Sequence, residues 1–290
     1  AAAALFAESA GNPLFVVEAV RAGGAGSEEP TPLTPRLRAV IDARLRPLDA
    51  ATREMVAAAS VVGRPFGPDL LRALTDLDNR ALAGALDELW RRRIWSEAGH
   101  AAYDFSHAKL REAVYDDLGP VARRTHHAAV ATYMAARPTG IHNPSSEIAA
   151  HFESAGRVAE AVQWWQRAAV EAHRIDAYED SLRLLQRALH HVPLLPPELQ
   201  HVRELELLSA MPVALAGVDG YGTSRMSDAH ERATQVAARL GVELDPPFVR
   251  SMVMSAVCRD EFGPAREMAA RLQETPWPPG TGCSGSRAAI

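Results

Sequence analysis

Cysteine is almost absent from the sequence: only Cys258 and Cys283 occur among 290 residues. Two cysteines without partners at metal-ligand spacing exclude a disulfide-built scaffold and favour a reducing compartment, so we expect a cytoplasmic protein. An excess of positive charge is missing too, since the net charge is −5. The net charge therefore produces no general electrostatic attraction toward nucleic acid or an anionic membrane surface.

Long hydrophobic runs are also missing. The most apolar interval, Leu207 to Val218, is shorter than a bilayer span and contains Pro212 and Gly217, so we expect no transmembrane segment. Hydrophobic residues nevertheless make up 47% of the sequence and charged residues 23%. A chain of this length and composition can bury more than one core, and we expect a globular protein of two or three domains.

No catalytic motif is complete. The stretch Gly280-Thr-Gly-Cys-Ser-Gly285 has the spacing of a phosphate-binding loop but lacks the Lys-Ser/Thr pair that would complete one. His230-Glu231 begins like a zinc-protease motif, yet Thr234 stands where the second zinc ligand is needed. The adjacent pairs His126-His127 and His190-His191 point about a quarter-turn apart on a helix, so neither converges on one metal. We therefore expect no enzyme active site and no metal site in this chain.

The stretch with the clearest chemistry is Tyr103 to Leu118, where a short strand meets an amphipathic helix. Tyr103 and Phe105 share one face of the strand, and the apolar residues that follow recur at helical spacing. We expect Ser106 to cap the helix. Such a helix start carries unpaired N–H donors and partial positive charge, which favour an anion such as phosphate. His107 beside it is either a phosphate contact or a partly buried histidine bonded to a backbone carbonyl.

The segment Phe105-Ser-His-Ala-Lys-Leu-Arg-Glu-Ala-Val-Tyr115 resembles the FSHDLLREAVY block of bacterial signal-transduction ATPases with numerous domains (STAND ATPases). These ATPases occur beside antibiotic-regulatory and LuxR-type transcriptional activators and some nucleotide cyclases. The block is similar to the Met-His-Asp motif of related ATPases, whose histidine, on a winged-helix domain, contacts the phosphate of bound ADP and holds the protein closed. The resemblance gives this role to His107 and makes Ser106 a candidate anion contact. Ala108 replaces the aspartate of the block, which removes a charged partner that the family usually has.

A second segment carries the same resemblance. Gly11-Asn-Pro-Leu-Phe-Val16 is similar to the GNPLFVEEL segment at the end of the helical lid in these ATPases, where a proline packs on the adenine ring. The resemblance makes Pro13 a nucleotide contact, whereas by local sequence alone Pro13 is a typical helix-starting proline. ADP or ATP would bind only together with an N-terminal NTPase domain that this chain lacks. Because the chain begins at Ala1 without an initiator methionine, we expect it to be part of a longer protein.

Residues 1–33 are therefore expected to be the end of the lid and a linker, and residues 34–140 a winged-helix domain. Helices that start at Thr34, Asp49 and Asp78 precede a hairpin that turns at Gly99. The helix after Asp78 is predicted to bury one side, formed by Leu82, Leu86, Leu89 and Trp90. The arginines at 91, 92 and 93 raise DNA binding as an alternative. They are too few for a groove binder and complement the helix dipole, so DNA is expected to bind through another domain.

Residues 141–275 contain the small-large-small spacing of tetratricopeptide helices. The pattern occurs twice, 20 residues apart, at Ala161, Trp165 and Ala168 and at Ser181, Leu185 and Ala188. Of the neighbours Trp164 and Trp165, Trp165 has the interlocking position and should be buried. We expect the following helix to run from Pro197 to about Leu208. Stacked helical hairpins suit the binding of a partner protein or a small-molecule ligand, and residues 276–290 are expected to be disordered.

The predicted fold class is mostly α: a helical lid remnant, a winged-helix domain with one small β-hairpin, and an α-solenoid of tetratricopeptide-like hairpins. The predicted function is the regulatory and sensor part of a STAND-type ATP-binding protein, a transcriptional regulator. Two alternatives come from other classes. One is a DNA-binding winged-helix activator, and the other is a tetratricopeptide-like scaffold that binds proteins without a nucleotide.

Overall fold

The computed structural model describes residues 34–99, 102–139 and 144–274. Pro13 with the end of the lid, and the segment 276–290 with the loop-like stretch at Gly280, lie outside the described residues. Within the described ranges the chain is helical apart from one two-stranded antiparallel sheet. The predicted mostly-α fold with one small hairpin is therefore confirmed. The chain divides into two compact units between Ala161 and Val162.

The first unit contains seven of the described helices and the sheet. In chain order these are α1 (Pro35–Leu45), α2 (Ala50–Ser60), α3 (Pro68–Leu74), α4 (Asn79–Arg91), β1 (Trp95–Glu97), β2 (Tyr103–Phe105), α5 (Ala108–Asp117), α6 (Pro120–Ala135) and α7 (Ser145–Ser154). Helix α8 (Val158–His173) contains the boundary between the units.

Three helices of this unit start where the sequence predicts, because a short polar side chain caps each of them. The side chain of Thr34 accepts a hydrogen bond, 3.3 Å long, from the backbone N–H three residues later. The side chains of Asp49 and Asp78 accept the same kind of bond at 2.6 and 2.8 Å. Each bond satisfies a backbone N–H that the helix itself leaves unpaired, and a cap of this kind contributes about 1 kcal/mol.

The core of the first unit forms around α5, which packs against α1 and α2, and α2 also packs against α3. Met55 of α2, Ile41 of α1 and Leu110 of α5 are almost completely buried. Helix α6 packs against α3 and α7. Because apolar burial contributes about 25 cal/mol per Å², this packing fixes the position of α5 and of the strand end that leads into it.

The hairpin is held by an aromatic cluster. Trp95 of β1 pairs with Phe105 of β2, and a single bridge joins Phe66 to Tyr103 on the other side of β2. The ring centroids of Phe66 and Trp95 are 4.9 Å apart and those of Trp95 and Phe105 are 6.0 Å apart, both in edge-to-face geometry. Such pairs add stability beyond their buried area, and here they anchor the end of β2.

Trp90 corrects one prediction, because its side chain is 56% exposed. Leu82, Ala85 and Leu89 are the buried residues of α4, and Leu86 is half-buried. At about 100° per residue, Leu86 lies on the edge of this face and Trp90 lies a further step outside it. A residue four positions after Leu86 therefore lies outside the buried face, although the spacing itself is typical of a helix.

The second unit continues from α8 through a series of helices. These are α9 (Tyr178–His191), a 3₁₀ turn (Val192–Leu194), α10 (Pro197–Val218), α11 (Ser224–Leu240), α12 (Pro246–Cys258) and α13 (Phe262–Glu274). Sequential neighbours α9 and α10, α10 and α11, and α12 and α13 pack against each other. Trp165 is 3% exposed whereas Trp164 is half-buried, as the small-large-small pattern predicts. Ser181, Leu185 and Ala188 are buried too.

Helix α10 is ten residues longer than predicted and contains Pro212 in its interior. An interior proline removes one helical hydrogen bond and costs about 3 kcal/mol. Leu208, Met211 and Leu215, on both sides of it, are buried in the unit. Their packing holds the helix together across the proline, an influence that local sequence does not reveal.

Candidate functional site

The site develops from the junction between β2 and α5. Phe105 belongs to the buried aromatic cluster, and Ser106 and His107 follow it directly. The amide of Ser106 donates to the carbonyl of Ile94 at 2.9 Å, which continues the hairpin pairing by one residue. The two residues that carry the predicted chemistry are therefore placed by the sheet on one side and by α5 on the other.

Ser106 is not the helix cap. Helix α5 begins at Ala108, the N-cap position is His107 with φ −149°, and no side chain caps this helix start. The Ser106 hydroxyl instead donates to the carbonyl of Arg93 at 2.6 Å. This bond uses its only proton, so in this conformation Ser106 has no hydroxyl donor to offer an anion.

His107 is half-buried at this junction. Burial lowers the pKa of its imidazole below the ordinary value, and the positive charge of Arg44 lowers it further. A neutral imidazole retains one N–H donor, and a nearby anion favours the protonated form of the ring. His107 is thus suited to contact a negatively charged group.

Arg44 completes the junction from the last turn of α1. Its Nη1 lies 3.5 Å from the carbonyl oxygen of Arg93, the same oxygen that accepts from Ser106. Arg93 adopts a left-handed conformation with φ 54°, which turns the chain from α4 into β1. Among the residues described by the structure, no carboxylate forms an ion pair with Arg44.

The other basic residue beside His107 is already engaged. Lys109 is 8% exposed, and its Nζ lies 2.7 Å from Oε2 of Glu112. Ala108, at the aspartate position of the resembling block, contributes no charge. Arg44 is therefore a cationic group near the junction with no carboxylate partner among the described residues.

A second histidine group lies elsewhere in the first unit. His127 Nδ1 is 2.9 Å from His151 Nδ1, and His127 Nε2 is 3.2 Å from the hydroxyl of Tyr115. Burial lowers the pKa of both imidazoles to about 4, with smaller contributions from neighbouring positive groups. In the described part of the chain, no three metal-ligating side chains converge on a common point. The pair is a buried hydrogen bond.

His230, the start of the zinc-protease-like motif, is a structural residue of the second unit. Its Nε2 lies 2.8 Å from the hydroxyl of Ser251, which donates to the carbonyl of Phe248 at 2.6 Å. Thr234 donates its own hydroxyl to the carbonyl of His230 at 2.8 Å. The Ser251 hydroxyl donates its proton to a helix carbonyl and not to His230. His230 therefore does not act as the base that would activate Ser251 as a nucleophile in this conformation.

The second unit has a groove of about 450 Å³ between α9, α10 and α11. Its lining is mixed: Leu208, Met211 and Leu215 are apolar, and Gln186, His190 and Asp228 are polar. Arg225 and Arg232 line one rim, where they pair with Asp219 at 2.5 Å and with Glu204 at 2.7 Å. The volume is in the range of small-molecule pockets, and the groove offers both apolar and polar side chains to a ligand.

Sequence reasoning missed Arg44 and His151. For Arg44 a signal existed, because it lies seven residues after the buried Leu37 and three after the buried Ile41, on the inner stripe of α1. A cation on such a stripe needs a polar or anionic neighbour. For His151 no signal existed, since its partner lies 24 positions away and only the packing of α6 on α7 joins them.

Comparison with known proteins gives one likeness. No family model and no curated protein matches the chain. Among solved structures the chain is similar to a signal transduction ATPase with numerous domains that has a tetratricopeptide repeat sensor, from Pyrococcus horikoshii, with 13% identity and a TM-score of 0.44. The match covers 94% of this chain and 44% of that one, so the chain spans less than half the length of that protein. A likeness at this identity and score establishes neither a family nor a function.

None of the described helices is long and apolar enough to cross a membrane.

Proposed function

We propose that this chain is the sensor part of a STAND-type regulatory ATPase. In this proposal residues 1–33 end the helical lid, residues 34–140 form a winged-helix domain that senses ADP or ATP, and residues 141–275 form tetratricopeptide-like repeats that bind a ligand or a partner protein. The nucleotide binds together with an N-terminal NTPase domain, and any DNA contact belongs to a further domain.

The observation that carries the proposal is the position of His107. The motif Phe105 to Tyr115 coincides with a strand-to-helix junction, and the motif histidine is half-buried there with Arg44 beside it. A phosphate group binds N–H donors, and the imidazole of His107 supplies one at this junction. Pro13 enters the proposal from the sequence alone.

The proposed mechanism is a shift between a closed and an open state. Bound ADP supplies the negative charge that His107 contacts, and this contact exists only while the winged helix lies against the nucleotide. A ligand that binds the repeats better in the open state moves the population toward it. The groove lined by Leu208, Met211 and Leu215 has the size for such a ligand.

The arginines at the end of α4 support this proposal over DNA binding. Arg92 pairs with Glu88 at 2.8 Å, and Arg91 donates to the carbonyl of Asp87 at 3.1 Å. Two of the three arginines are thus held by their own helix. A DNA-binding domain would need them extended toward phosphates as part of a wider basic face.

Two experiments test the proposal. The complete reading frame should encode a Gly-x-x-x-x-Gly-Lys-Ser/Thr loop upstream of Ala1, and a complete reading frame without this loop contradicts the ATPase assignment. The chain should also fail to retard mixed-sequence duplex DNA in gel electrophoresis. Retardation that weakens steeply as the salt concentration rises would favour the DNA-binding activator instead.

A further inference from the structure

We infer that Arg44 is a second anion-binding residue beside His107, and that one phosphate group of a nucleoside diphosphate binds between the two side chains. This inference rests on the proposed function and adds to it a residue that lies outside the motif. Arg44 comes from α1, which precedes His107 by more than 60 residues in the sequence.

The first argument is geometric. The carbonyl oxygen of Arg93 accepts from the Ser106 hydroxyl at 2.6 Å and lies 3.5 Å from Nη1 of Arg44. One backbone atom thus accepts from the residue before His107 and lies near the guanidinium of Arg44. A contact of 3.5 Å is long and weak, and it engages one of the five N–H donors of the guanidinium.

The second argument concerns charge. Arg64, a half-buried arginine of the same unit, pairs with Glu147 at 2.5 Å. Arg44 has no such partner among the described residues and lies beside an imidazole instead. Two groups that can both be positive repel each other, and a shared anion turns this repulsion into attraction. The planar fork of arginine matches phosphate oxygens, so a phosphate group is the anion that this arrangement suits.

A purely structural role is the competing explanation. Arg44 is in the last turn of α1, where a cation complements the helix dipole, and it supports the carbonyl of Arg93. This explanation predicts that replacement of Arg44 lowers stability but leaves anion binding at His107 unchanged. The two explanations therefore differ in one measurable quantity.

The test is an NMR titration of the His107 ring in the 290-residue chain, with inorganic pyrophosphate as the probe. The ring resonance is assigned by its loss in His107→Gln. In the wild type, pyrophosphate should shift this resonance and raise the pKa of His107. In Arg44→Gln, the pKa of His107 should rise before any pyrophosphate is added, because one repelling charge is gone, and the affinity for pyrophosphate should fall at least about tenfold.

Two further variants serve as controls. Arg46→Gln removes an exposed arginine two residues away and should bind pyrophosphate like the wild type. Arg44→Lys keeps the charge without the planar fork and should bind with intermediate affinity, which covers the case that Arg44→Gln does not fold.

Each outcome decides a different point. Equal affinity in the wild type and in folded Arg44→Gln, with the His107 resonance shifting in both, overturns the inference and leaves the proposed function standing. Equal losses in Arg44→Gln and Arg46→Gln also overturn it, because they indicate only the loss of general positive charge. A His107 resonance that pyrophosphate does not shift in the wild type overturns the inference and leaves the proposed function to the ADP-release measurement on the complete protein.

Discussion

The ring of Tyr178 lies directly against the α-carbon of Gly217. A β-carbon built on this glycine would fall 2.4 Å from Cγ of Tyr178, far inside van der Waals contact. Tyr178 begins α9 and Gly217 lies in the last turn of α10, so the contact joins two neighbouring helices of the second unit. Glycine is used here because no other residue allows the ring to approach the backbone so closely.

Gly217→Ala should destabilise the second unit by about 1–3 kcal/mol, the usual effect of an overpacked contact. In a Tyr178→Ala background the same change should become stabilising by up to about 1 kcal/mol, since alanine favours the helix more than glycine does. Gly263→Ala, at an exposed helical position with no atom near the added carbon, is the control and should be neutral or slightly stabilising. Urea unfolding of the single and double variants measures the sign change, and its absence would contradict the contact.

The two neighbouring tryptophans of α8 provide a second test. Trp165 is 3% exposed and has Arg187 stacked over its ring at 4.3 Å, whereas Trp164 is half-buried. Trp165→Ala should cost about 3–5 kcal/mol of unfolding free energy, and Trp164→Ala much less. Small and equal losses in urea unfolding would show that the helix faces the other way.

The buried pair His127 and His151 should make the first unit sensitive to mild acid. The pKa of each is about 4 in the folded chain and about 6.5 when unfolded, so the unfolded chain takes up protons first. The two neutral histidines therefore make their full contribution to the free energy of unfolding above pH 6.5. This contribution decreases as the pH falls toward 4, by at most about 1.4 kcal/mol per pH unit for each histidine. At 2.9 Å between two Nδ1 atoms one must donate and one accept, so both rings cannot be protonated in place.

Urea unfolding between pH 8 and pH 5 measures this effect, in a range where most carboxylates stay ionised. His151→Asn keeps a hydrogen-bonding group near the Nδ1 position and removes one titrating ring. The variant should lose about a third of the wild-type pH dependence in this range, because His127 and His230, whose pKa values are also about 4, still take up protons on unfolding. An unchanged pH dependence in the folded variant would show that the pair is not its source.

Local chemistry explains what the sequence predicts well. The caps at Thr34, Asp49 and Asp78 act on a backbone N–H three residues away, and so they follow from the sequence alone. The burial of Trp165 follows from the helical period once the small residues around it are recognised. These features need no knowledge of any distant part of the chain.

Competition between distant groups explains the rest. Ser106 could cap α5, but its hydroxyl binds the carbonyl of Arg93, 13 residues earlier, and the helix begins one residue later than predicted. Pro212 could end α10, yet the burial of its neighbours keeps the helix continuous. The roles of Pro13 and His107 in nucleotide binding stay predictions that rest on the resemblance of two motifs.

His107→Ala in the protein expressed from its complete reading frame tests the central claim most directly. A hydrogen bond to a charged group is worth about 1.5–3 kcal/mol, so ADP should be released roughly ten to a hundred times faster while the ADP-free melting temperature changes little. His107→Gln keeps an N–H donor, so its rate of ADP release should lie between those of His107→Ala and the wild type. If instead the melting temperature falls and the rate of ADP release is unchanged, His107 is a structural residue and has no part in holding the nucleotide.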